Sequence, residues 1–160
     1  MVDASILITE DGADLAIEAD DLARDDGLRS AILVSLFTDA RVPEDTEIPG
    51  GLGSDRRGWW ADLDRRRGIG SLVWLGERAK ITAETMETIR AAASAALDWL
   101  VADAIAETVN VAVSRYGTSS TIVLEIEISR GSASRHGRRW AAVENYDLTL
   151  EGLRVALLFR

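Results

Sequence analysis

The residues best equipped for chemistry lie together at positions 55–60, where Asp55, Arg56, Arg57, Gly58, Trp59 and Trp60 follow one another. Two guanidinium groups can form forked hydrogen bonds to carboxylates. Two indoles next to them each bring roughly 150–250 Å² of surface that favours leaving water. This is the chemistry of recognition rather than of bond making. The indoles have two destinations, the protein's own core or a partner, and one ring can face each way. Arg56 and Arg57 are either solvated or paired with partner carboxylates.

The remaining candidates for catalysis are thin. The 160-residue chain has no cysteine and one histidine, His136, set in the basic run Arg135-His136-Gly137-Arg138-Arg139. That excludes disulfides, thiolate metal sites and a cysteine nucleophile, and it leaves histidine zinc chemistry without its usual second ligand. No Gly-x-Ser-x-Gly precedes His136 to build a serine triad. The acids Asp20, Asp21, Asp25 and Asp26 lack the alternation and central glycine of a calcium loop. Gly50-Gly51-Leu52-Gly53-Ser54 lacks the Gly-Lys-Ser/Thr ending of a phosphate loop. Paired carboxylates would suffice for a glycosidase, yet no pair stands out among 27 acidic residues. The expectation is a non-enzyme with no cofactor and no metal.

Charge and hydropathy narrow the partners. A formal charge of −9 disfavours nucleic acid, despite the local runs at Arg65-Arg66-Arg67 and 135–139. Those runs read as solvated loops or docking sites for acidic partners. No apolar run approaches a membrane span, and Met1-Val2-Asp3-Ala4 has no basic flank of a signal peptide. Assembly in a cytoplasm-like compartment is expected, with no membrane partner. A hydrophobic fraction of 47% with 28% charged residues suits one folded domain over 1–160.

The elements that would position these residues follow from periodicity. Ser5–Thr9 and the alternating Leu15 and Ile17 predict a hairpin turning at Glu10–Asp14. Leu28, Ile32, Leu33, Leu36 and Phe37 predict a helix from about Gly27 to Ala40, capped by Asp25 or Asp26. A loop then runs from Val42 to Gly53. Ser71 to about Arg78 reads as a short helix with Trp74 in the core. Thr82 caps the longest helix, to about Ala104, whose stripe is Met86, Ile89, Ala93, Leu97, Leu100 and Ala104. Trp99 lies off that stripe, as a candidate second contact. Val109, Val111 and Val113 alternate, turn at Tyr116–Ser120, and meet Ile122, Leu124, Ile126 and Ile128 in an antiparallel hairpin. Residues 131–139 read as a polar loop. Leu148 and Leu150, then Leu153, Val155, Leu157 and Phe159, predict two short terminal strands around Glu151-Gly152.

Taken in order, Asp26-Gly27-Leu28 after an acidic segment, Leu36-Phe37-Thr38-Asp39, the Asp-Arg-Arg-Gly-Trp-Trp stretch and Trp74-Leu75-Gly76-Glu77-Arg78-Ala79-Lys80 resemble the phage Mu gene product 46 family. The resemblance covers about residues 12–130, leaving 131–160 as a C-terminal extension. It implies a virion protein of the contractile tail baseplate, related to small wedge proteins that act as sheath initiators. The implied fold is sheath-initiator-like and α+β, a small antiparallel sheet packed against about three helices. The implied partners are baseplate wedge proteins, tail sheath subunits whose arms add strands to the sheet, and tube or hub proteins, with six copies around the tube. Better-known initiators carry a central Glu-Pro-Arg signature that this sequence lacks. The candidate interface is Asp55, Arg56, Arg57, Gly58, Trp59, Trp60, Glu77 and Arg78. A tail-associated cell-wall hydrolase and a free-standing adaptor are the alternative readings.

Overall fold

A computed structural model describes residues 3–9, 12–22, 24–25, 27–49, 53–64, 67–76, 79–115, 121–129, 143–151 and 154–158. Its core forms where three apolar stripes meet. Helix α1 (Leu28–Phe37) contributes Leu28, Ile32 and Leu36. The longer α2 (Ala83–Ala102) contributes Ile89, Ala93, Leu97 and Leu100. Strands β7 (Thr108–Arg115) and β8 (Thr121–Ser129) complete it. On β8, Ile122, Leu124, Ile126 and Ile128 are buried while Glu125 and Glu127 are exposed. That strict alternation is what a sheet with one packed face requires.

The main sheet is antiparallel, in the order β10-β9-β8-β7, with β9 at Val143–Glu151 and β10 at Arg154–Leu158. Its register sets Val111 opposite Ile126 and Leu124 opposite Leu148. The predicted hairpin and both terminal strands are therefore present, and the first terminal strand is longer than expected, at nine residues. Their turns, 116–120 and 152–153, and the loop at 131–139 with His136, lie outside the described residues.

The N-terminal segment folds as small ladders. Strand β1 (Asp3–Ala4) pairs with β6 (Arg24–Asp25), β2 (Ile6–Thr9) with β3 (Gly12–Leu15), and β4 (Ile17–Glu18) with β5 (Asp21–Leu22). The predicted turn was too wide. Gly12, Ala13 and Asp14 pair with Ile8 and its neighbours inside the ladder, and Ile17 opens the next hairpin. That second hairpin turns on Ala19 and Asp20, both with positive φ, the geometry that matches the twist of a two-residue connection.

Three expectations about the helices are corrected. Asp25 does not cap α1: it is paired with Asp3 in the β1–β6 ladder, and Gly27, at φ 83°, occupies the cap position. Asp26 lies outside the described residues. Helix α1 stops at Phe37 instead of Ala40, because Thr38 turns extended and Asp39 bridges to Ser71. The third helix is only a 3₁₀ turn, Val73–Gly76. Ser71 is tied back to α1 on one side of it. On the other, Gly76 packs close to α2: a Cβ there would approach Ile89 Cδ1 to 2.9 Å. There are thus two α-helices among the described residues, not about three.

The long helix follows its sequence closely. Thr82 caps α2 by accepting the Thr85 N–H at 3.1 Å. At the other end, the Ile105 N–H reaches the Leu100 carbonyl at 2.8 Å and the Ala104 N–H reaches Val101 at 3.0 Å. Those paired bonds are a Schellman closure, with Ala104 at φ 56°. The helix therefore ends at Ala102, and Ala104 is exposed beyond it instead of closing the apolar stripe.

Candidate protein interface

Three short sequence pieces converge where α1 ends. Beyond Phe37 the chain runs extended, and Ala40 N–H donates to the Ser71 carbonyl while Ser71 N–H donates to Thr38, both at 2.9 Å. The Ser71 hydroxyl also donates to the Leu36 carbonyl at 2.6 Å, satisfying one of the carbonyls that a helix end leaves open. Gly70 permits this approach. It has φ 105°, and a Cβ there would lie 2.2 Å from the Thr38 oxygen.

Trp74 is buried, 4% exposed, as its position between Leu72 and Leu75 suggested. Its indole N–H donates to the Ala40 carbonyl at 3.0 Å. Across its ring lies the Arg57 guanidinium, 4.1 Å from the centroid, which also binds Asp39 at 2.8 Å. Asp39, Arg57 and Trp74 come one from each of the three motif pieces. Together they form a clasp.

Arg56 is spent in the same way. Its Nη1 donates to the carbonyls of Pro43 and Thr46, its Nη2 to Glu44 at 3.0 Å, and its Nε faces the Glu44 carboxylate at 3.2 Å. A planar group with five donors is suited to gathering several carbonyls of one turn. The Asp55 carboxylate accepts the Arg57 N–H at 2.9 Å, which steadies a backbone that reaches φ 49° at Arg57. Gly58, at φ 104°, lets the loop lie on Arg41: a Cβ would sit 2.6 Å from Arg41 Cβ. The two arginines and the glycine therefore serve the loop's own architecture.

What this mounting displays is Trp60. Trp59 is half-buried, whereas Trp60 is 80% exposed at the start of a 3₁₀ turn, Trp60–Asp64. The rings are 5.8 Å apart and tilted by 56°. Asp62 anchors the turn by taking the Ile69 N–H with both carboxylate oxygens, at 3.1 Å each. Glu77 and Arg78, the other two candidate contacts, lie outside the described residues. Asp39 and Ser71 were missing from the candidate set. The first stood in plain view within Leu-Phe-Thr-Asp, while nothing local to Ser71 announces its pairing with Thr38.

The comparisons with known proteins meet this geometry directly. The family model described as Phage protein GP46 matches residues 28–135, from the first residue of α1 past the end of β8. The chain belongs to the phage GP46 family. It is 43% identical over 100 residues to "Baseplate protein gp46" of Escherichia phage Mu, covering 62% of this chain and 68% of that protein. It is 35% identical over 130 residues to "Mu-like prophage FluMu protein gp46" of Haemophilus influenzae, covering 81% of this chain and 87% of the relative. The GP46 match contains the whole clasp, α2 and the β7–β8 hairpin. The N-terminal ladders β1–β6 precede it, and β9 and β10 follow it. Among the described residues no helix is long and apolar enough to cross a membrane.

Proposed function

We propose that this chain is a non-enzymatic structural component of a contractile phage tail baseplate, the wedge piece that joins the baseplate to the first sheath ring. Kinship with a protein named for the baseplate supports the structural role. The observation that carries it within the chain is the use made of the signature residues. Arg56, Arg57 and Asp39 hold a loop in place and leave a large indole standing in solvent. Exposed aromatic rings on rigid mounts are the usual anchors of protein interfaces.

On this reading Trp60 seats in a neighbouring wedge or hub protein. Arg56 and Arg57 act as positioning residues for it rather than as direct contacts. The sheath contact falls elsewhere, on the outer strand β7, which among the described residues has β8 as its one hydrogen-bonded neighbour. That strand is eight residues long and contains no proline, with its one charge, Arg115, at the far end. An edge without the customary blocking devices is suited to accept another chain's strand. Six copies would surround the tube.

Reconstruction of particles tests the reading as a whole. The expected result is this chain in six copies beneath the first sheath ring, Trp60 buried in a neighbour and a foreign strand on β7. Particles in which the chain is absent from the baseplate would overturn it.

A further inference from the structure

Ile17 and Trp60 are the two most exposed large apolar side chains among the described residues, at 75% and 80%. They belong to patches of opposite charge. Ile17 lies opposite Leu22 in the β4–β5 ladder, and Leu15, two residues earlier, shares its face by strand alternation. All three are exposed. Around them stand Asp14, Glu18, Asp20 and Asp21, with no lysine or arginine anywhere in 1–23. None of these four acids forms an ion pair among the described residues. Glu18 and Asp21 are direct cross-strand partners, an arrangement that like charges make unfavourable and that a cation from outside would relieve.

The Trp60 turn has the opposite balance. Residues 55–67 carry five arginines against three aspartates, and two of those aspartates, Asp55 and Asp62, already accept backbone N–H groups of the loop. Trp60 is followed in the sequence by Arg65, Arg66 and Arg67, and Arg67 is more than half exposed while it holds Asp103. The two patches are mounted at opposite ends of α1. At its first turn, Arg29 donates to the Ser5 hydroxyl at 3.2 Å and the Ser30 hydroxyl to the Ala4 carbonyl at 3.1 Å, which ties down the base of the ladders. At its last turn, the clasp holds the loop that carries Trp60. Ten helical residues, about 15 Å, separate these two mounts, and the chain itself leaves both patches in solvent.

We infer that the neighbour receiving Trp60 is a second copy of this chain. The indole seats on Leu15, Ile17 and Leu22 of that copy, and the arginines that follow the turn face Asp14, Glu18, Asp20 and Asp21. This rests on the reading of Trp60 as an interface anchor and names its partner. The formal charge of −9 on each copy opposes approach. Exposed charges more than about 8 Å apart are screened at physiological salt, however, so the opposed patches decide at contact. Unlike patches at opposite ends of α1 make the contact head-to-tail. Such a contact passes from copy to copy and closes into a ring where the rotation permits. One indole against three aliphatic side chains is smaller than a stable interface requires. Free copies therefore associate weakly, and copies already held side by side associate well.

Analytical ultracentrifugation of the whole chain tests this at concentrations up to about 1 mM, the range in which so small an interface associates. The parent chain should grow past two copies as concentration rises. Trp60→Ala and Ile17→Lys should each remain monomeric, with melting temperatures near the parent's because both side chains stand in solvent. An equimolar mixture of these two variants should form a complex of two and nothing larger, because the first keeps its hairpin and the second its indole. Glu18→Lys leaves the apolar contacts in place and should weaken association about tenfold. Val34→Lys, at an exposed aliphatic side chain elsewhere on α1, should associate as the parent does. A parent that stays monomeric, undiminished association in any of the hairpin or Trp60 variants, or a mixture that forms no complex would overturn the inference. A monomeric parent whose Trp60→Ala variant still fails in tail assembly would overturn it and leave the baseplate reading of Trp60 in place. Association lost in Trp60→Ala, with tails assembling normally, would instead keep the contact and remove that reading.

Discussion

The guanidinium carbon of Arg57 sits 4.1 Å from the centroid of the Trp74 ring, while the same group holds Asp39. A partly buried cation over an indole is worth about 0.5–2 kcal/mol. The ion pair adds at most about 1 kcal/mol, because Arg57 and Asp39 are 28% and 41% exposed. Arg57→Ala should therefore lower unfolding stability by about 1–3 kcal/mol. Arg57→Lys should fall between the two, since an ammonium can reach Asp39 but has no plane to lay on the ring. Urea denaturation of the three proteins measures this. A lysine variant no better than alanine would show that the stack, not the ion pair, closes the clasp.

The two tryptophans at the extremes of exposure should separate stability from assembly. Trp74→Ala removes a buried indole and its bond to Ala40, at a cost of about 3–5 kcal/mol. Trp60→Ala removes an indole that the isolated chain leaves in water, so its melting temperature should stay near that of the parent. Thermal melting and tail assembly, measured on both variants, then give opposite patterns. Trp60→Ala is expected to melt normally and fail to assemble. Normal assembly with this variant would remove Trp60 from the interface.

Much of this was legible in the sequence because the signals were local. The alternation of Ile122, Leu124, Ile126 and Ile128 states which face is buried, and the threonine before α2 states where that helix starts. Motif order likewise matched the family shown by the comparisons. The sequence could not reveal the use of Arg56 and Arg57, because their partners lie across other loops: Pro43, Glu44 and Thr46 for one, Asp39 and Trp74 for the other. A pair of arginines beside two indoles looks the same whether it faces a partner or its own chain. The helix expected at 71–78 failed for a related reason. Its composition allows a helix, but Ser71 is drawn to Thr38 and Leu36, a contact 33 or more residues away in the chain.

Glycines near the clasp offer a graded test of close approach. Gly70→Ala would drive a methyl to 2.2 Å from the Thr38 carbonyl, and Gly58→Ala would drive one to 2.6 Å from Arg41 Cβ. Both positions also have φ beyond 100°, where side chains are strained. Gly53 has φ 82° but nothing within 4 Å of an added Cβ. Gly53→Ala should thus cost about 0.5–1 kcal/mol, the left-handed strain of about 1–2 kcal/mol less the roughly 0.5–1 kcal/mol returned by a less free unfolded chain. Gly58→Ala and Gly70→Ala should cost distinctly more, and Gly70→Ala the most, because it meets rigid backbone. Denaturation midpoints of the three variants rank them.

Acid dependence should be visible at one exposed pair. Arg90 donates two hydrogen bonds to Glu87, at 2.6 and 2.8 Å, and these, with its charge behind them, lower the Glu87 pKa below the ordinary glutamate value. A carboxylate depressed in the folded state contributes stability above its unfolded pKa and loses it as pH falls through the folded value. The window therefore lies on the acid side of ordinary glutamate titration. A carboxyl-carbon NMR titration should place Glu87 low, and Arg90→Ala should move it back upward. An unchanged midpoint in that variant would deny the pairing in solution.

The end of α2 carries a strain that a single substitution should relieve. Ala104 occupies the left-handed position of the Schellman closure at φ 56°, where its Cβ crowds the following carbonyl. Glycine is the usual residue there, since it has no Cβ to strain. The left-handed conformation costs an alanine about 1–2 kcal/mol, and glycine's extra unfolded-state freedom returns about 0.5–1 kcal/mol of that. Ala104→Gly should therefore raise stability by about 0.5–1 kcal/mol. Its exposure means that no packing is lost with the methyl. The bonds from Ile105 to Leu100 and from Ala104 to Val101 should persist, so their amide exchange should slow rather than quicken. A lower melting temperature, or faster exchange at Ile105, would mean that the helix ends in some other closure.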